Sequence, residues 1–194
     1  MSINAKYRRI TPQELEAFQR NPSSIAAFFG TDKLDKMPDV PDDEDFDEDA
    51  YWAEPSPVDG PERLFDLTNS WMAVHYLLTG EVTHPSQSRT SPPLVYVVMG
   101  GTPISNEDVG YGPPRFLTPD QVKEAADALS DLAPEDLRGR FDVTAYNAAR
   151  GYPRMGQRGW GPKDLGPLLE EYADLRHFFK ETAEQGDALL LWSS

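Results

Sequence analysis

Hydrophobic and polar residues change period several times along the chain, and each change marks an element. In "INAKYRRI" (3–10), Ile3, Ala5 and Tyr7 alternate with Asn4, Lys6 and Arg8. That period of two is the signature of a half-exposed strand. "ITPQELEAF" then opens a helix, with Thr11 as N-cap, Pro12 at the first helical position and Glu14 completing a capping box. Ile10 is placed to staple onto Leu15. Asn21 and Pro22 stop this helix and permit a short second one through Phe29. In "LFDLTNSWMAVHYLLTG" (64–80), Trp71 to Leu78 is apolar nearly all round, which predicts a buried helix ended by Gly80. "LVYVVM" (94–99) is a continuous apolar run rich in β-branched residues and reads as a central strand covered on both faces.

The second half repeats the helix-start device. Thr118, Pro119 and Gln121 restate Thr-Pro-x-Gln/Glu, and Leu117 can staple onto Val122. Val122, Ala125, Ala126 and Leu129 form one helical stripe. Short helices are expected at 134–140 and 142–150. Leu165, Leu168, Leu169, Tyr172, Leu175 and Phe179 mark an amphipathic helix to about residue 183, closed by Gly186, and "ALLLW" (188–192) is a second fully apolar strand. Strands near 3–9, 94–99 and 187–192, with about five to six helices between them, predict an α+β fold. The expected arrangement is a single compact domain over 1–194 with a small mixed sheet.

Two stretches interrupt this pattern. Residues 31–61 hold five prolines and the run "DDEDFDED" (42–49), an acidic Pro-rich excursion. Residues 149–164, "ARGYPRMGQRGWGPKD", form a basic Gly-rich loop. Residues 81–93 read as a Pro/Ser/Thr-rich loop.

Composition narrows the function classes. At 194 residues the chain can bury a full core, and its four Trp, eight Tyr and nine Phe supply large apolar area. It has no cysteine, which removes disulfides, thiol catalysis and Cys-ligated zinc and suits a reducing cytosol. No apolar run reaches the roughly 18–20 residues of a membrane span, and "MSINAKYRRI" has no signal-peptide core. The expected location is cytoplasmic. A formal net charge of −15 opposes nucleic acid and anionic membranes and attracts basic partners.

Few motifs carry chemistry. In "DVGYGPPRFLTPDQV" (108–122), Gly110 and Gly112 bracket Tyr111, and Arg115 precedes the helix. A dinucleotide motif needs a third glycine and a direct strand-to-helix turn. Here both are lacking, and Pro113 and Pro114 remove two amides. The loop either serves a groove, with Tyr111 stacking and Arg115 gripping an anion, or sets the approach to the helix, with Arg115 paired to Glu107 or Asp108. His75 follows Trp71 by four residues and shares its face, as a general base in a cleft or a hydrogen-bonded core histidine. His84 and His177 have no ligand spacing to it, so no metal site is assigned. No nucleophile elbow, P-loop or His-Glu-x-x-His is present.

The acidic run nearly fits a calcium loop, since Asp43, Asp45 and Asp47 take positions 1, 3 and 5 and Glu54 position 12. Glu48 stands where a glycine is needed, and prolines 38, 41 and 55 deny the flanking helices. The run reads better as a partner surface made of Asp42, Asp43, Glu44, Asp45, Phe46, Asp47, Glu48, Asp49 and Trp52, with Tyr51 beside them, which combines steering charge with apolar anchors. An internal reading pairs it with Arg150, Arg154, Arg158 and Lys163 of the basic loop.

Taken together, "INAKYRRITPQEL", "SWMAVHYLLTG", "GYGPPRFLTPDQVKE", "FDVTAYNAARGYP" and "EQGDALLLW" resemble the YfbM-like family, a bacterial domain of unknown function. The motifs run in order over most of the chain outside 31–61 and 81–93. The family's stretch before the Trp helix commonly reads Leu-Asp-Leu-Asp-Lys. Here it is "FDLTNS" (65–70), with Thr68 and Asn69 in place of an acid and a lysine. The resemblance implies a compact α+β fold and a bacterial cytosolic source, and no reaction or cofactor.

Two functions follow as expectations. The favoured one is a nonenzymatic interaction module that binds a basic protein through the acidic surface, of unknown oligomeric state. The alternative is an enzyme or small-ligand-binding protein with a cleft joining Trp71, His75, Tyr111 and Arg115.

Overall fold

The computed structural model describes residues 3–29, 63–106, 108–109 and 111–193. The acidic run 42–49, with Tyr51 and Trp52, lies outside the described residues, as do Glu107 and Gly110.

Strand β1 (Ala5–Ile10) forms where the period of two predicts it. It lies beside β5 (Ala188–Ser193) near the middle of a five-stranded sheet. Strand β2 (Leu64–Leu67) covers the outer side of β1, and β4 (Arg115–Leu117) and β3 (Thr102–Pro103) extend the sheet beyond β5. Every pairing is antiparallel, so the mixed sheet expected from the sequence is corrected on this point. The α+β class holds. In the register of β1 and β5, Tyr7 stands opposite Leu191 and Ile10 opposite Ala188.

Both predicted capping boxes form. Thr11 caps α1 (Pro12–Arg20): the Glu14 amide donates to Thr11 Oγ1 and the Thr11 amide to Glu14 Oε2. Thr118 and Gln121 repeat the exchange at α5 (Pro119–Ser130). A short α2 (Ser24–Phe28) follows α1. Helix α3 (Trp71–Thr79) is buried on nearly every side and stops at Gly80, whose φ is 73°. Helix α8 (Leu165–Gln185) ends in the same left-handed way at Gly186. Between α5 and α8 lie α6 (Pro134–Leu137) and α7 (Val143–Ala148).

The strand expected over 94–99 is absent. Leu94–Val97 instead make one turn of helix, α4, whose Tyr96 amide donates to the Pro93 carbonyl at 3.0 Å. A continuous apolar run shows that a segment is buried, not which backbone buries it. Here Met99 turns the chain at a φ of 52°, and the run packs between α3 and α5. The strands that complete the sheet, β2, β3 and β4, span two to four residues each, too few for a period to register.

One face of the sheet carries the larger core, in which Tyr7, Leu189 and Leu191 meet α3, α5 and α8. Ile10, Leu15, Ile25, Ile104, Phe116, Ala188 and Leu190 make a smaller cluster on the other face. Ile10 and Leu15 both lie in the smaller cluster, and Leu117 and Val122 both in the larger core.

Candidate functional site

The four residues of the expected cleft are largely occupied by the fold. Trp71 is buried, and its indole N–H donates to the Ile3 carbonyl at 3.1 Å. Arg115 turns its guanidinium back onto the Gly100 and Gly101 carbonyls at 3.2 and 2.6 Å. Tyr111 is 44% exposed, and its amide donates to the Ser193 carbonyl. Asp108 Oδ1 accepts from the Gly112 amide at 2.8 Å.

His75 has no solvent exposure, and neither ring nitrogen finds a hydrogen-bond partner among the described residues. It is a core histidine, although not the hydrogen-bonded one expected. Burial drives its pKa down to about 4, against the pull of Glu81 and with a further push from His84. His84 stacks edge-on to Trp71 at 5.9 Å and feels the charge of Arg115. The fold therefore gathers Trp71, His75 and Arg115 around His84, a residue that spacing along the chain gave no reason to include.

The basic Gly-rich loop presents a different geometry. It opens after α7 and closes at the start of α8, and it is held from below by aromatic rings. Tyr146, Trp160, Phe141 and Tyr76 pack with ring centroids 4.9–5.6 Å apart. The Trp160 indole donates to the Pro153 carbonyl at 2.7 Å. Asn147 clasps the Trp160 backbone from both sides, accepting from its N–H at 2.8 Å and donating to its carbonyl at 2.9 Å. Two glycines are required by close approach. A Cβ on Gly151 would stand 2.3 Å from the Tyr146 ring, and one on Gly159 would stand 2.7 Å from Asn147 Oδ1. Arg150 holds a left-handed φ of 57°, an unusual state for a residue with a side chain.

Over this base lies a hollow of about 300 Å³ lined by Asn147, Gly151, Gly156, Gly159 and the three arginines 150, 154 and 158. Arg158 is fixed by a two-pronged pair with Asp164 at 2.6 and 2.7 Å. Asp164 also accepts the Gly161 amide at 2.8 Å. The Arg158 partner, helped by that amide and against the opposing effect of burial, holds its carboxyl at about 2, well below the usual range. Arg150 and Arg154 are exposed, and neither guanidinium enters a hydrogen bond or ion pair among the described residues. Among the described residues no carboxylate lines the hollow. Two cations without a partner among those residues thus face a concave, glycine-rich surface in a protein of net charge −15. The internal pairing expected between this loop and the run at 42–49 lies outside the described residues.

A second, more open concavity of about 520 Å³ lies between Pro22 and Ser23 and residues 103–106. No charged side chain lines it. Among the described residues no cluster of His, Asp or Glu is arranged to hold a metal ion, and no helix is long and apolar enough to cross a membrane.

Such an antiparallel sheet, with its capped helices and apolar Trp helix, defines a known class. A model of the domain of unknown function DUF1877 matches residues 1–192, and the chain belongs to that family. Among solved structures it is similar to YfbM from Escherichia coli, a protein of unknown function, at 18% identity and a TM-score of 0.61 over 98% of each chain. That likeness is one of fold. A search of curated proteins found no match.

Proposed function

We propose that this protein is a binding module, not a catalyst, and that the hollow at 147–159 takes an anionic ligand. The observation that carries this reading is the pair of guanidiniums, Arg150 and Arg154, that have no partner among the described residues and line a concave base locked by Asn147, Gly151 and Gly159. Planar guanidiniums bind phosphate and carboxylate oxygens two at a time, and a curved, preorganised surface lowers the ordering cost of doing so. The test is the thermal unfolding midpoint in sulfate and in chloride at one ionic strength. Sulfate stabilises folded proteins generally, so the reading rests on the difference: it should raise the midpoint more in the wild type than in Arg154→Ala. An equal rise in the two proteins contradicts the reading.

A basic protein partner is the second reading. Beyond the run at 42–49, Asp120, Glu124, Asp127 and Asp131 are exposed along one side of α5, at helical spacing. Neutralising Asp42–Asp49 together with this stripe should weaken such a partner, most at low salt. A partner whose affinity ignores both charge and salt contradicts this reading.

A further inference from the structure

We propose that the ligand of the arginine hollow is a small phosphate monoester, bound as its dianion. This rests on the anion-binding reading above and narrows it.

The charge balance of the hollow is the first argument. Arg158 is neutralised by Asp164, so Arg150 and Arg154 together leave a charge of about two to be met. A monoester carries nearly two negative charges at neutral pH, on three acceptor oxygens. A diester or single carboxylate carries one. Three terminal oxygens also suit two guanidinium forks better than the two of a carboxylate.

Size and surroundings are the second argument. The hollow's volume of about 300 Å³ is at the lower end for small-molecule sites. A compact ligand keeps its charge within reach of the two arginines, inside the roughly 8 Å over which charges are screened at physiological salt. Tyr146 and Trp160 are spent beneath the hollow, and no aromatic ring among the described residues lines it, so it offers no platform for a stacked base.

The third argument concerns order. Asn147, Gly151 and Gly159 lock the base, and Asp164 locks Arg158. Only Arg150 and Arg154 remain to close on a ligand. Among the described residues the charged groups lining the hollow are these three arginines, with Asp164 on Arg158 and Lys163 close to Asp164. No histidine among the described residues lines the hollow, and Asp164, at about 2, stays ionised between pH 5.5 and 7.5. Any change in binding over that range then belongs to the ligand's own second ionisation, near pH 6.

Calorimetric titration with glycerol 3-phosphate, dimethyl phosphate and succinate, at fixed ionic strength, tests this. Glycerol 3-phosphate should bind one to one at pH 7.5 and about fourfold more weakly at pH 5.5, following its dianion fraction. Dimethyl phosphate and succinate should bind at least about tenfold more weakly. Arg150→Gly, which suits the left-handed backbone, and Arg154→Ala should each cost about tenfold or more with the unfolding midpoint preserved. Succinate binding as tightly as the monoester, and lost in the same variants, overturns the monoester assignment and leaves the anion site standing. Absence of binding by all three anions, or binding that both variants retain, overturns the site itself.

Discussion

At His75 the fold encloses an imidazole whose two nitrogens find no partner among the described residues. Its pKa falls to about 4 in the folded protein, from about 6.5 in an unfolded chain. The unfolded state then holds more protons between those values, so stability is full above pH 6.5 and declines as pH falls towards 4. The loss should be about 3 kcal/mol, read by urea unfolding at a series of pH values. His75→Leu should flatten that dependence without lowering stability at pH 7, since it removes two unsatisfied polar atoms. Gly151→Ala should act in the opposite way, destabilising by about 2 kcal/mol because the methyl meets the buried Tyr146 ring. The burial of Trp71 and His75 was legible in the sequence, because their helix is apolar on nearly all sides. The partners of Arg115 were not. Gly100 and Gly101 reach it only through the tight turn after α4, and nothing in the residue types reports that approach.

Helix starts were the most legible elements, because an N-cap acts through four consecutive residues. Thr118→Ala should lower stability by about 1 kcal/mol by thermal or denaturant unfolding, and Thr118→Ser should restore most of it. The mistaken strand at 94–99 has the reverse cause. Its burial is a tertiary property, and its six residues are too few for a helical period to compete with β-branched content. β2 escaped notice beside the Trp helix. There Glu171 of α8 accepts from the Thr68 amide and from the Thr68 and Ser70 hydroxyls, and so fixes the chain entering α3. Glu171→Ala should destabilise the protein by about 1 kcal/mol, chiefly through the buried Ser70 hydroxyl, since the donors of exposed Thr68 turn to water.

At the scale of the whole molecule, the family resemblance located the fold better than any single element did, because five motifs in order constrain more than one period can. Charge was legible only as a sum. The net charge of −15 suggested a basic partner, and it concealed a local patch of the opposite sign. Loop residues 149–164 read as basic and Gly-rich in one dimension. That Arg158 is spent on Asp164 while Arg150 and Arg154 are not depends on the folded loop.

The most direct measurement follows the side-chain Nε–Hε resonances of Arg150 and Arg154 by two-dimensional NMR during titration with inorganic phosphate at constant ionic strength. The account predicts that both shift along one saturable curve, with Gly156 and Gly159 amides moving in step and the core amides of α3 still. Shifts that are linear in phosphate, or that centre on other residues, would contradict it.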